Sequence, residues 1–185
     1  MIASLLRFGS AVMKLPTSGS VGQVLSWAAS GVLAWLNIPI VIYAQRVNTT
    51  ATGTGDQVLL TIPIDPNTLS TNRGLRIKAG MRHTTGSSST FTGVKFGGTR
   101  LDANTGVVTL NWIEEVDLWG DGATNAQRYQ VHTKSFTTGT VTHLCGRGAP
   151  AIDQTTSKDL VFYCNMATGS DVCTCDWVTV ELIYK

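Results

Sequence analysis

Between Lys14 and Arg46 the chain carries no charge at all. Within that interval, Pro16 to Trp35 is apolar but broken by glycines and small polar residues. Gly22-Gln-Val-Leu-Ser-Trp27, a small-residue turn around Gly31 and a second tryptophan at Trp35 predict a ribbon of two short extended pieces. The ribbon presents Val24, Leu25, Trp27, Val32, Leu33 and Trp35 with little neighbouring chain to cover them. Covering a tryptophan removes roughly 200 Å² from water. At about 25 cal/mol per Å², a pair of them offers several kcal/mol to any surface that accepts them. A ribbon this short cannot supply that surface, so docking is expected, on the rest of the chain, on sister chains or on a larger body.

An uncharged stretch raises the question of a membrane. Val21 to Ala44 is long enough to span one. Gln23, Ser26, Ser30, Asn37, the glycines at 22 and 31 and Pro39 argue against it, because turn-like breaks leave backbone groups unpaired in lipid. No cluster of basic residues flanks the segment, and no membrane insertion is expected. Met1 to Arg7 lacks a basic leading region and places its charge inside the apolar run, which is not the pattern of a secretory signal.

Upstream, Ile2, Leu5, Leu6, Val12 and Met13 fall at roughly helical spacing, interrupted by Gly9 and Ser10. A short amphipathic helix or an irregular arm is expected, held down by something because free apolar termini fray. Residues 1–37 thus read as an anchoring arm, with Leu5 and Leu6 joining the ribbon residues as its interface, and 38–185 as a separate domain.

From Ile38 the pattern becomes one of strands. Ile38 to Arg46 is followed by a Thr/Gly loop at Asn48 to Gly55, a strand at Gln57 to Ile64 and a turn at Asn67 to Asn72. Gly74 to Arg82 alternates cleanly, with Leu75, Ile77, Ala79 and Met81 on one face and Arg76, Lys78, Gly80 and Arg82 on a solvated outer face. Phe91 to Phe96 breaks alternation, which places a bulge at Gly93. Val107 to Trp119 has a helix's length but a strand's β-branched residues, and is read as strand. Asp117 to Asn125 lacks the spacing of a calcium loop and is read as a hairpin turn. Arg128 to Phe136, Val141 to Cys145, a loop at Gly146 to Pro150, Asp159 to Met166 and Val172 to Tyr184 complete the chain. In the last strand Val178, Val180, Leu182 and Tyr184 share a face. About nine strands separated by turns predict an all-β fold, an antiparallel β-sandwich of jelly-roll type, preceded by the arm and its ribbon.

Charged residues are only 14%, and a net charge of +2 leaves no footprint for nucleic acid. The Ser, Thr, Asn and Gly that must cover the surface instead suit sheets and contact with other protein. There is no Gly-x-Ser-x-Gly elbow, phosphate loop or His-Glu-x-x-His. Glu114 and Glu115 are neighbours, so a strand turns them to opposite faces and they cannot act as paired carboxylates. No catalytic set and no cofactor are expected. Of the four cysteines, Cys173 and Cys175 fall on one strand face. Buried free thiols, a disulfide from Cys164 to Cys173 or Cys175, and a zinc site are the alternatives.

Val21-Gly-Gln-Val-Leu-Ser-Trp27, with Trp35 after the small-residue turn, resembles the Gly-Gln-Val-Leu…Trp segment of tailed-phage fibre and head-fibre proteins, where it commonly precedes a distal domain. Ile62-Pro-Ile-Asp-Pro-Asn-Thr-Leu-Ser-Thr-Asn-Arg-Gly-Leu-Arg-Ile77 resembles the Ile-Pro-x-Asn-Thr-Leu…Asn-Gly-x-Leu-Arg-Ile stretch of β-sandwich modules in phage virion proteins. Val94 to Thr99 and Asp176 to Tyr184 fit the same module, so the resemblance is scattered over most of 21–184. Arg73 before Gly74, and Asp65-Pro66 ahead of Asn67, depart from it only in the turn. The resemblance implies a non-enzymatic virion structural protein, a homotrimer, with no catalytic residues to transfer. One form is a capsid decoration or cement protein, its arm laid on the major capsid protein or another virion protein. The other is a short tail fibre or receptor-binding tip that recognises a host surface glycan. The short chain without shaft repeats and the apolar arm favour decoration. Trp119 beside Gly120-Asp121 is the residue that suits a receptor contact.

Overall fold

The computed structural model describes residues 5–8, 11–14, 23–27, 33–83, 91–101, 111–137 and 140–185, with side chains in 38–83, 92–101, 111–136 and 141–185. All regular structure in it is β. The strands are β1 (Leu5–Phe8), β2 (Ala11–Lys14), β3 (Gln23–Trp27), β4 (Leu33–Asn37), β5 (Ile40–Thr52), β6 (Gly55–Ile64) and β7 (Arg73–His83). They continue as β8 (Phe91–Phe96), β9 (Thr99–Arg100), β10 (Asn111–Gly120), β11 (Gln127–Thr137), β12 (Thr140–Gly148), β13 (Lys158–Met166) and β14 (Val172–Tyr184). The chain divides into two compact units, residues 1–40 with Tyr184, and residues 41–183 with Lys185.

The first unit holds two hairpins. β3 and β4 pair antiparallel, with Leu25 opposite Trp35 and Trp27 opposite Leu33, which is the ribbon that the sequence predicts. β1 and β2 also pair antiparallel, with Leu6 opposite Met13 and Phe8 opposite Ala11. The expected helix or irregular arm is therefore a third possibility, a hairpin. Two four-residue pieces are too short to repay helix nucleation.

The second unit is an antiparallel β-sandwich. One sheet has the order β12-β11-β10-β7-β14-β5 and the other β6-β13-β8-β9. Taken without β11 and β12, the strands β5-β14-β7-β10 and β6-β13-β8-β9 have the order and the alternation between sheets of an eight-stranded jelly roll. The hairpin β11–β12 is an addition to the edge of that scaffold. The core between the sheets includes Leu75, Ile77, Ala79 and Met81 from β7, Val116 and Leu118 from β10, Val131, Leu160, Phe162, Val178 and Val180. Leu182 packs partly against it, in keeping with the face expected for β14.

Four boundaries differ from the sequence reading. β5 runs on through Thr52, so the loop expected at 48–55 contracts to two residues flanked by β5 and β6. Threonine is a good strand former, and the turn falls where Gly53 and Gly55 take φ of 129° and 74°. The bulge expected at Gly93 is absent, because β8 pairs with β13 in unbroken register. The irregularity lies instead between β13 and β6, where Phe162 faces Leu60 but Tyr163 faces Val58. Leu59 is the extra residue, and the shift lets Leu59, Ile62 and Ile64 all point inward. β12 extends to Gly148, across part of the expected loop. A Cβ at Gly148 would stand 2.5 Å from the Tyr129 ring, so only glycine lets the strand lie this close. Finally, a short extra strand, β9, follows β8; the 107–110 part of the strand expected at Val107 to Trp119 lies outside the described residues.

Candidate functional site

The outer face of β7, β10, β11 and β12 is built in cross-strand rows. One row is Arg76, Asp117, Gln130 and Arg147; the next toward the hairpin turn is Gly74, Trp119 and Arg128. Arg76 donates to both carboxylate oxygens of Asp117, from Nε at 2.9 Å and Nη2 at 2.8 Å. That bidentate bond to Asp117 holds the Arg76 guanidinium above its ordinary range, with the nearby Glu115 and Glu181 adding to it. Arg128 Nε donates to Asp121 at 2.6 Å. The β10–β11 turn is fixed by Asp121 N–H to the Ala126 carbonyl at 2.8 Å, which is the hairpin expected in place of a calcium loop.

Between these rows lies an open groove of about 970 Å³. Its walls are Asp117, Trp119 and Asp121, then Arg128, Tyr129 and Gln130, then Cys145 to Ala149. Trp119 is positioned by its neighbour: a Cβ on Gly74 would sit 2.6 Å from the indole, so the ring lies flat against the glycine backbone. Lys185 Nζ stands 5.0 Å from the ring centre, a cation–π contact. Arg147 is exposed, and among the described residues it has neither ion pair nor hydrogen bond. The groove thus combines an indole, an amide, two carboxylates held by arginines and one uncommitted guanidinium. That set offers polar contacts beside an aromatic face, and Cys145 adds an exposed thiol to the same wall.

Trp119 was singled out by sequence, next to its turn. Arg147 was not, because it fell in a segment read as loop and its place opposite Gln130 exists only once β12 pairs with β11. A Cys145 Sγ to His132 Nδ1 contact of 3.2 Å lies on the same exposed face, also invisible before the register was known. Glu114 is buried and Glu115 faces outward to Lys78 at 3.4 Å and Arg76 at 3.7 Å, so the two glutamates do part to opposite faces.

The predicted anchoring residues lie in the other unit: Leu5 and Leu6 on β1, Val24, Leu25 and Trp27 on β3, Leu33 and Trp35 on β4. Val32 lies outside the described residues. The three buried cysteines are free thiols, with Cys164 of β13 hydrogen-bonded to Cys173 of β14 across the sandwich. That bond pushes the Cys173 thiol up, and burial adds to it. Burial, with Asp176 nearby, pushes Cys175 up to about 12. Among the described residues no group of three His, Cys, Asp or Glu is placed to hold a metal ion, and no helix is long and apolar enough to cross a membrane.

No protein-family model and no curated protein matches the chain. Among solved structures it is similar to the VP2 subviral particle of infectious bursal disease virus, at 13% identity and a TM-score of 0.36, over 92% of this chain and 41% of that one. T=1 particles derived from infectious bursal virus align at 14% identity and a TM-score of 0.36, over 92% and 40%. The Gt strain of infectious bursal disease virus gives 15%, 0.37, 92% and 40%. The chain spans about two-fifths of the length of these structures. Superposition this loose carries no argument about ancestry or role, which rest on the residues of this chain.

Proposed function

We propose that the chain is a non-enzymatic structural protein of a bacteriophage virion, a capsid decoration or cement protein in which residues 1–37 anchor to the shell and the jelly roll projects. The observation that carries the reading is the charge-free ribbon β3–β4, with Trp27 and Trp35 on a two-stranded unit too small to bury them by itself. The resemblance of Val21 to Trp27 to phage head-fibre segments supports the same reading. A homotrimer multiplies modest contacts per arm into firm attachment. Support for self-association comes from the edges of the six-stranded sheet. Val41 and Ile42 on β5 are 55% and 41% exposed, and Val141 and Leu144 on β12 are 53% and 39% exposed. Apolar patches at opposite edges of one sheet suit head-to-tail contacts that close into a ring.

The test is copy number and dependence on the arm. Antibody against this chain is expected to label the head at hundreds of copies, and deleting residues 1–37 is expected to abolish attachment and lower particle stability. Labelling confined to the tail at a few dozen copies refutes decoration. The second reading, a tail fibre or receptor-binding tip that takes a host glycan, draws its support from the groove beside Trp119.

A further inference from the structure

Two arginines line the groove, Arg128 and Arg147. Arg128 is engaged by Asp121, and the groove's other carboxylate, Asp117, is taken from the neighbouring strand by Arg76. Arg147, in the same row as Asp117 and Gln130, keeps its guanidinium uncommitted and open to solvent. A free guanidinium is a planar fork that matches a carboxylate with two parallel hydrogen bonds. Trp119, held flat by Gly74, gives the groove an apolar wall, while Gln130, Asp117 and Asp121 supply an amide and acceptors suited to hydroxyl donors. A volume of about 970 Å³ admits a ligand of two or three sugar rings. A polyphosphate would meet two carboxylates without the stripe of cations it needs. A lone small anion would leave the indole wall unused.

We infer that this groove binds a carboxylate-bearing saccharide, with Arg147 taking the carboxylate and Trp119 the face of a sugar ring. The inference deepens the second reading above by naming its site and ligand class. It is independent of where the protein sits on a particle, so labelling and binding results fail separately.

The test is calorimetric titration of the full chain with 3′-sialyllactose, digalacturonate and neutral lactose. At least one acidic sugar is expected to bind about tenfold or more tighter than lactose, a difference of about 1.4 kcal/mol. Arg147→Ala is expected to erase that preference, and Arg147→Lys to restore part of it. Trp119→Ala should weaken acidic and neutral sugars alike. Arg147 is exposed on an edge strand, so its variants fold, which a matching thermal midpoint verifies. No binding of either acidic sugar at 10 mM (about the limit for a weak site,), equal affinity for lactose, or an unchanged preference in Arg147→Ala would each overturn the inference.

Discussion

At the scale of single residues, the tightest constraint is where backbone meets backbone. A Cβ at Gly120 would stand 2.7 Å from the N, Cα and C atoms of Ser70, none of which can swing aside. Gly120→Ala is therefore expected to cost about 1–3 kcal/mol, read as a lower denaturant midpoint at unchanged slope. Gly169→Ala is the control: nothing lies within 4 Å of its Cβ, and its backbone takes no left-handed angle, so the change should be neutral or slightly stabilising. Thiol chemistry divides the same way. Cys145 is exposed and Cys164, Cys173 and Cys175 are buried. One equivalent of an aromatic disulfide reagent is expected to be consumed in the native state, and the remaining three only on unfolding. Consumption of none by Cys164 and Cys173 even in denaturant would show them already joined. That Cys173 and Cys175 share a strand face was legible from their two-residue spacing, whereas the approach of Cys164 depends on how the sheets face each other.

At the scale of elements, period-two alternation was enough wherever one face is core and the other is wet. β7 is the clear case: its four apolar positions are all buried as their spacing requires, although Gly80, expected on the wet face, is buried beneath the Trp177 ring. Alternation failed where something other than burial sets the phase. The bulge went to Leu59 because β6 must turn three apolar side chains inward, and no local signal in Gln57 to Ile64 marks the extra residue. The length of β12 was hidden because its glycines read as loop, while in the sheet Gly148 makes room for Tyr129. No residue from 141 to 148 is buried, so β12 contributes little to the core. Leu144→Lys should then shift stability by no more than about 0.5 kcal/mol. The same variant is expected to lower the mass measured by light scattering if β12 lies in the trimer contact, and an unchanged assembly would exclude that edge.

At the scale of the molecule, the sandwich has its own core and the hairpins of residues 1–40 form a separate unit. A chain starting at residue 38 is expected to fold with the unfolding transition of the full protein and to lose its tendency to adhere to particles. A collapsed transition would instead make the hairpins part of the fold. Acid should act through Asp56, which Lys95 Nζ at 2.6 Å and Asn165 Nδ2 at 2.6 Å both donate to. The hydrogen bond from Lys95 is the main cause that holds this carboxyl below its ordinary range. A depressed folded value means that its contribution is complete above the ordinary carboxylate range and fades as pH falls through the folded value. Because Asp56 is largely exposed, that contribution is discounted to about 0.2–1 kcal/mol. Asp56→Asn should flatten the acid limb of the stability curve by that amount, measured by thermal unfolding between neutral and strongly acidic buffers.

The six-stranded sheet is wider than its four-stranded partner, and the surplus on one side is the β11–β12 hairpin. Its inner strand, β11, is tied to the core by Val131, but its outer strand, β12, carries no buried residue from 141 to 148 and can be rewritten without repacking the core. Substitutions along that outer strand would then exchange one ligand preference for another at almost no cost in folding, which makes β12 the natural place for such a protein to diversify while the sandwich stays fixed.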